Sequence, residues 1–164
     1  MKIEALMSKS LAACSPNESL ATATRIMWDR DIGFLPVVDD EGRPVGTITD
    51  RDVAMGAFIS SRPLSDLPVG AVMAINVACC SATDEVSHAE QMMQELQVRR
   101  LPVVSSDGRL VGVVSINDLS RACVDPKFGN GVPAAEVAAT LAVISAPREL
   151  HPAGGDRQSA ELRG

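Results

Sequence analysis

Leu35-Pro36-Val37-Val38, then Asp39-Asp40-Glu41-Gly42-Arg43, then Pro44-Val45-Gly46-Thr47-Ile48-Thr49-Asp50-Arg51-Asp52, is followed 66 residues later by a second version of itself. That version runs Leu101-Pro102-Val103-Val104, Ser105-Ser106-Asp107-Gly108-Arg109 and Leu110-Val111-Gly112-Val113-Val114-Ser115-Ile116-Asn117-Asp118. In both, two apolar runs flank a polar stretch whose Gly can take the positive φ that a hairpin turn requires. The match extends outward without insertion, residues 3–58 corresponding to 69–124, with Met7/Met73, Cys14/Cys80 and Met27/Met93 identical. One duplication is too short for a solenoid array, so the two copies are expected to pack on each other about a pseudo-twofold axis and to share one core.

Ahead of the hairpin, Leu11-Ala12-Ala13-Cys14 is a short apolar run, and Ser15-Pro16-Asn17-Glu18-Ser19 carries turn and helix-start chemistry. Leu20, Ala23 and Met27, like Val86, Ala89 and Met93, recur at three- and four-residue spacing, which predicts an amphipathic helix. A second helix follows each hairpin, with Val53, Ala54, Ala57 and Phe58 in one copy and Leu119, Ala122 and Cys123 in the other as its apolar positions. Pro36 and Pro102 are expected to mark a margin of the sheet, because proline cannot donate to a ladder. Each repeat thus reads β-α-β-β-α, a small three-stranded sheet with two helices, and the fold class is α+β. The expected division is repeat 1 at 1–60, a linker at 61–68, repeat 2 at 69–124, a C-terminal helix at 132–146 and a flexible tail at 147–164. In that last helix Val137, Leu141 and Ile144 form a stripe that covers either the repeat core or a second subunit.

The chain has 164 residues, 46% of them apolar, with a formal charge of -6. Its longest basic run, Arg99-Arg100, is too little for a nucleic-acid surface, so no nucleic-acid partner is expected. No stretch approaches about 18 uninterrupted apolar residues and the first residues lack a cleavage pattern, so no membrane association and a cytoplasmic location are expected. The four cysteines, Cys14, Cys79, Cys80 and Cys123, form no C-x-x-C pair, and with only His88 and His151 no metal site is expected. Cys14 and Cys80 read as small buried hydrophobes. Cys79-Cys80 leaves a thiol redox role open, although strand neighbours point to opposite faces. No nucleophile elbow, Walker loop or paired catalytic acid is present, so no catalytic residue is assigned and the chain reads as a non-enzyme.

The chemistry concentrates at the end of each repeat. Thr49 and Ser115 stand where a strand meets a helix, so a hydroxyl and free backbone N–H groups converge beyond the strand end. Asp52 and Asp118 follow one helical turn later, and a carboxylate accepts paired hydrogen bonds of the kind a ribose diol donates. The same spacing is that of a capping box, which stabilises a helix start by about 1 kcal/mol and requires no ligand. The two roles are compatible.

Gly46-Thr47-Ile48-Thr49-Asp50-Arg51-Asp52, Gly112-Val113-Val114-Ser115-Ile116-Asn117-Asp118 and the twin Leu-Pro-Val-Val strands closely resemble the CBS domain, and the tandem resembles a CBS pair, or Bateman module. More narrowly, Asp31-Ile32-Gly33-Phe34-Leu35-Pro36 and Gln97-Val98-Arg99-Arg100-Leu101-Pro102 resemble small stand-alone bacterial CBS-pair proteins, some linked to stress responses. The resemblance covers about residues 1 to 124. It implies a regulatory sensor that binds an adenosine-containing ligand between the repeats, AMP-like first and ADP, ATP or S-adenosylmethionine next, with no required cofactor. It also implies a homodimer formed through helices and modulation of a partner protein.

The resemblance assigns phosphate contact to Thr49 and Ser115, ribose contact to Asp52 and Asp118, and further phosphate contact to Arg99 and Arg100. Arg51 and its counterpart Asn117 complete the expected ligand set. The repeats are unequal, since Gly33-Phe34 stand where the other has Arg99-Arg100. The chain has no Tyr, which leaves adenine to aliphatic walls. Asp50 adds negative charge that disfavours polyphosphates relative to AMP. The competing reading is a ligand-free dimeric interaction scaffold in which the Thr/Ser-x-x-Asp strings are helix caps alone.

Overall fold

The hydrophobic pattern resolves into elements with close correspondence between the copies. The structure is a computed structural model that describes residues 1–128 and 131–147. Repeat 1 contains α1 (Leu20–Arg30), β1 (Phe34–Val38), β2 (Pro44–Thr49) and α2 (Asp50–Ser60). Repeat 2 contains β3 (Cys80–Ser81), α3 (Val86–Leu96), β4 (Arg100–Val104), β5 (Leu110–Ser115) and α4 (Ile116–Val124), and α5 (Ala134–Ser145) follows. From residue 148 onward the expected tail lies outside the described residues.

In each repeat the hairpin is antiparallel, with Phe34 opposite Thr49 and Arg100 opposite Ser115. Its turn depends on glycine, for Gly42 and Gly108 hold φ of 79° and 81°. The third strand is short in both copies. Cys80 and Ser81 pair in parallel with Val103 and Val104, whereas in repeat 1 a single parallel bridge joins Cys14 to Val37. Pro102 therefore lies in the middle strand of its sheet and not at its margin, whereas Pro36 lies in a two-stranded sheet whose β1 meets, among the described residues, only the Cys14 bridge on its other side. They are tolerated because the parallel neighbour is so short: in repeat 2 its pairing begins one residue after Pro102, so no ladder acceptor stands opposite the missing N–H.

Instead of one shared core, the buried residues form two. One gathers Leu20, Ala23, Met27, Leu35, Val37 and Ile48 with Leu67 and Val69; the other gathers Ala89, Met93, Leu101, Val103, Val114 and Leu119 with Ile3. The repeats exchange their opening segments, each completing the other's core. Ile3 N–H donates to the Asp84 carbonyl at 2.9 Å, and Val69 N–H, 66 positions on, donates to the Glu18 carbonyl at 2.8 Å. Ser8 bridges Val113 as Ala74 bridges Thr47. This reciprocity is the pseudo-twofold relation, and it accounts for two glycines. A Cβ on Gly46 would stand 2.9 Å from the Ala74 carbonyl oxygen, and one on Gly112 would stand 3.0 Å from that of Ser8. Residues 61–68, expected as a linker, carry a 3-10 turn at Leu64–Asp66 and bury Leu67.

α5 lies on α3 and α4 of its own chain and buries Val137, Thr140 and Ile144. The stripe differs from the expected one at a single place: Leu141 is 46% exposed, and Thr140 is buried in its stead, its hydroxyl accepting a 2.7 Å hydrogen bond from the Gln94 amide. Phe58, expected in the core, is 78% exposed, as is its counterpart Val124 at 81%. In both copies this position lies outside the buried side of the helix, which in α2 is Val53 and in α4 is Leu119 and Ala122.

Candidate ligand site

Strand β2 stops at Thr49 because the side chain and backbone there are recruited to start α2. Thr49 N–H and Oγ1–H both donate to Asp52 Oδ2, at 2.9 and 2.7 Å, and Asp52 N–H donates back to Thr49 Oγ1 at 3.2 Å. Ser115 and Asp118 repeat the arrangement at 2.8, 2.5 and 3.2 Å. Both are complete capping boxes, so the helix-start reading of these residues is realised in full.

The boxes differ in what remains of each carboxylate. Asp118 is 9% exposed, and its Oδ1 accepts a hydrogen bond from Arg121 Nη2, whose side chain extends along the first turn of α4. In repeat 1 that position is Met55. Asp52 is half-buried, and its Oδ1 takes no hydrogen bond among the described residues. Sequence reading missed Arg121; its signal was an Arg three residues after the motif Asp, where the twin has a methionine.

The antiparallel register brings the expected basic residues to the motif of their own repeat. Arg100 stands opposite Ser115, and the Arg99 carbonyl accepts from Ile116 N–H at 3.0 Å, so Arg99, Arg100, Ser115, Asn117 and Asp118 cluster where β4 begins and β5 ends. Arg99 and Asn117 are exposed, and Arg100 is half-buried. In repeat 1, Gly33 accepts from Asp50 N–H at 3.3 Å, and Arg51 is exposed beside it. The eight expected residues thus form two groups, three around Thr49 and five around Ser115. The second holds more positive charge, and the first holds the more open carboxylate.

The cysteines have a different character. All four are free thiols. Burial pushes Cys80 up to about 12, with Asp84 and Cys79 adding to it, and pushes Cys14 to about 12 with help from Glu18. Burial raises Cys79 as well. Cys80 donates to Met92 Sδ at 3.6 Å. Thiols held protonated in this way are weak nucleophiles, which weighs against the redox reading.

A cavity of about 360 Å³ opens on repeat 1 beside the Thr49 junction, between α1 and the start of α2, with Met27, Trp28, Ile32, Gly33, Asp50 and Val53 among its walls. None of the expected ligand residues lines it.

The CBS domain family model matches residues 3–56 and again 69–125. Among curated relatives, an uncharacterised 17.7 kDa protein of Acidianus ambivalens is 36% identical over 142 residues, covering 85% of this chain and 84% of that protein. Hypoxic response protein 1 of Mycobacterium tuberculosis is 30% identical over 116 residues, 71% of this chain and 80% of that one. Among solved structures, the CBS domain pair of protein MJ0100, in complex with 5-methylthioadenosine and S-adenosyl-L-methionine, aligns with a TM-score of 0.66 at 29% identity. It covers 74% of this chain and 94% of that one. CBSX2 in complex with AMP aligns at 0.65 and 25% identity, covering 77% and 98%.

Proposed function

The chain belongs to the CBS-domain family as a tandem pair, and from that premise we propose that it is a regulatory sensor of an adenosine-containing ligand. AMP is the first choice, with ADP, ATP and S-adenosylmethionine as the other members of the class. The observation that carries this reading is the doubled strand-to-helix junction, with Thr49 and Asp52 in one repeat and Ser115 and Asp118 in the other, in a fold whose similar structures hold AMP or S-adenosylmethionine. The open Asp52 oxygen suits a ribose hydroxyl, and Arg99 and Arg100 beside Ser115 suit phosphate. Arg51 and Asn117, exposed at the first turns of α2 and α4, complete the set. Ligand binding then shifts the packing of the repeats and alters the grip on a partner protein, with no catalysis and no resident cofactor. The protein acts as a homodimer in the cytoplasm; no described helix is long and apolar enough to cross a membrane.

The test is thermal unfolding with AMP, ADP, ATP and S-adenosylmethionine, on the wild type and on Asp52→Ala and Asp118→Ala. A ligand at 100 times its Kd stabilises by about 2.7 kcal/mol. The sensor reading expects a shift that at least one substitution removes. No shift with any nucleotide sinks it and leaves the interaction scaffold, the reading that the complete capping boxes favour.

A further inference from the structure

Along repeat 2, α5 runs parallel to α3 in a fixed register. Gln94 donates to Thr140 Oγ1, Gln97 Nε2 donates to the Val143 carbonyl at 3.5 Å, and one helical turn earlier Glu90, whose pKa is raised first by burial, also feels the like charge of Glu136. The seat of α5 is therefore marked by Glu90, Gln94 and Gln97. Moved back by 66, these become Thr24, Trp28 and Asp31, and all three line the 360 Å³ cavity on repeat 1. Repeat 1 thus carries the same helix seat, floored by Met27, Ile32 and Val53, but the chain has no second α5 among its described residues to fill it. Trp28, 83% exposed, stands on its rim.

α5 is itself only half covered. Of its nine exposed residues, Glu136 and Ser145 alone are polar, and the rest are Ala134, Ala135, Ala138, Ala139, Leu141, Ala142 and Val143. A helix with so few polar positions is suited to cover on more than one side, and one seat on α3 and α4 covers a single stripe. Its outer face is shallow, because alanines dominate it, whereas the empty seat is edged by a bulky indole. Small residues against a large ring are the complement that close helix packing uses.

We propose that the occupant of the empty seat is α5 of a second copy of this chain. Each protomer offers one vacant seat and one two-faced helix, so a twofold axis makes two identical contacts and leaves neither unfilled. α5 then bridges the assembly, with its Val137–Ile144 stripe on its own repeat 2 and its alanine face on the partner's repeat 1. This rests on the dimeric state proposed above and names the surfaces that build it.

The experiment uses light scattering of the full chain together with emission of its one tryptophan, Trp28. The wild type is expected as a dimer whose emission moves to longer wavelength on dilution. Trp28→Lys and Leu141→Glu both lie on exposed positions, and each is expected to weaken self-association at least tenfold with unchanged circular dichroism. Mixed together, they regain the dimer, because one of the two contacts then sets the introduced ammonium against the introduced carboxylate and the other is native. A monomeric wild type overturns both this proposal and the dimer. A dimeric wild type that tolerates Leu141→Glu, or variants whose mixture stays monomeric, overturns the α5 seat alone and leaves the dimer and the nucleotide reading standing.

Discussion

Removing the two motif carboxylates one at a time should destabilise the ligand-free protein unequally. Asp118 sits in a box whose Ser115 is 8% exposed, so Asp118→Ala keeps the Ser115 hydroxyl on the residue 118 N–H but leaves a buried Ser115 N–H without its acceptor. Orphaning a buried donor costs about 1–3 kcal/mol, and with the carboxylate half of the box gone the expected loss is about 2–3 kcal/mol. Asp52 belongs to a half-buried box where water can replace the carboxylate, so Asp52→Ala should cost about 1 kcal/mol. Urea unfolding without nucleotide reads the difference. With a slope of about 2 kcal/mol per molar, the two midpoints should stand about 0.5–1 M apart, Asp118→Ala being the lower. Arg121→Ala is the control: its side chain is 72% exposed, so loss of the pair with Asp118 should cost less than about 0.5 kcal/mol. Equal midpoints for the two Asp variants, or an Arg121→Ala loss as large as that of Asp118→Ala, would refute the assignment of the cost to the buried cap.

Gly46→Ala and Gly112→Ala should each cost about 1–3 kcal/mol in chemical unfolding, since the new methyl meets a backbone carbonyl of the exchanged segment; a neutral outcome at both would contradict the close crossing. Glu90 is 5% exposed, has an Oε1 without a hydrogen-bond partner among the described residues, and is held above the usual carboxylate range by burial and then by Glu136. The folded state therefore binds this proton more tightly than the unfolded chain, and the associated stability is full below the ordinary carboxylate range and lost as pH rises through the folded pKa. Glu90→Gln should raise the Tm at neutral pH and flatten its fall between mildly acidic and neutral solution, as differential scanning calorimetry would show. Cys14 and Cys80 should resist alkylation at neutral pH in native protein and react readily in urea, by mass spectrometry; fast native labelling of Cys80 would reopen the redox reading.

The duplicated pattern carried most of the fold because period-2 and period-3.6 spacing is local, and a constant offset makes each copy check the other. The hairpins, the four repeat helices, their starts at Ser19, Thr49 and Ser115, and the C-terminal helix were legible for that reason. The exchanged openings were not, since nothing local tells Ile3 and Val69 which copy they complete. Pro102 misled because a rule about missing donors identifies a margin only when the neighbouring strand is long. In the site, the motif residues and the meeting of Arg99 and Arg100 with Ser115 followed from the hairpin. Arg121 did not, because its role arises from where a helix turn carries a long side chain.

The duplication makes departures from symmetry informative, since both copies satisfy the same backbone scheme. Both fill their sheets with Leu-Pro-Val-Val, bend at a glycine, and close with a capping box, so these features answer to folding. Two of the departures between the copies bear on function. At the motif, Met55 stands in for Arg121 and Gly33 for Arg99, which separates an open carboxylate from a cationic cluster. On the helical face, Thr24, Trp28 and Asp31 replace Glu90, Gln94 and Gln97, which separates an empty seat from a filled one. Ile32 and Gly33 line that seat, and Gly33 accepts from Asp50 at the start of the very helix that Thr49 caps. A helix entering the seat would press on the same strand-to-helix junction that the motif closes. The two asymmetries of repeat 1 are thus mechanically adjacent, and occupancy of one is placed to alter the geometry of the other.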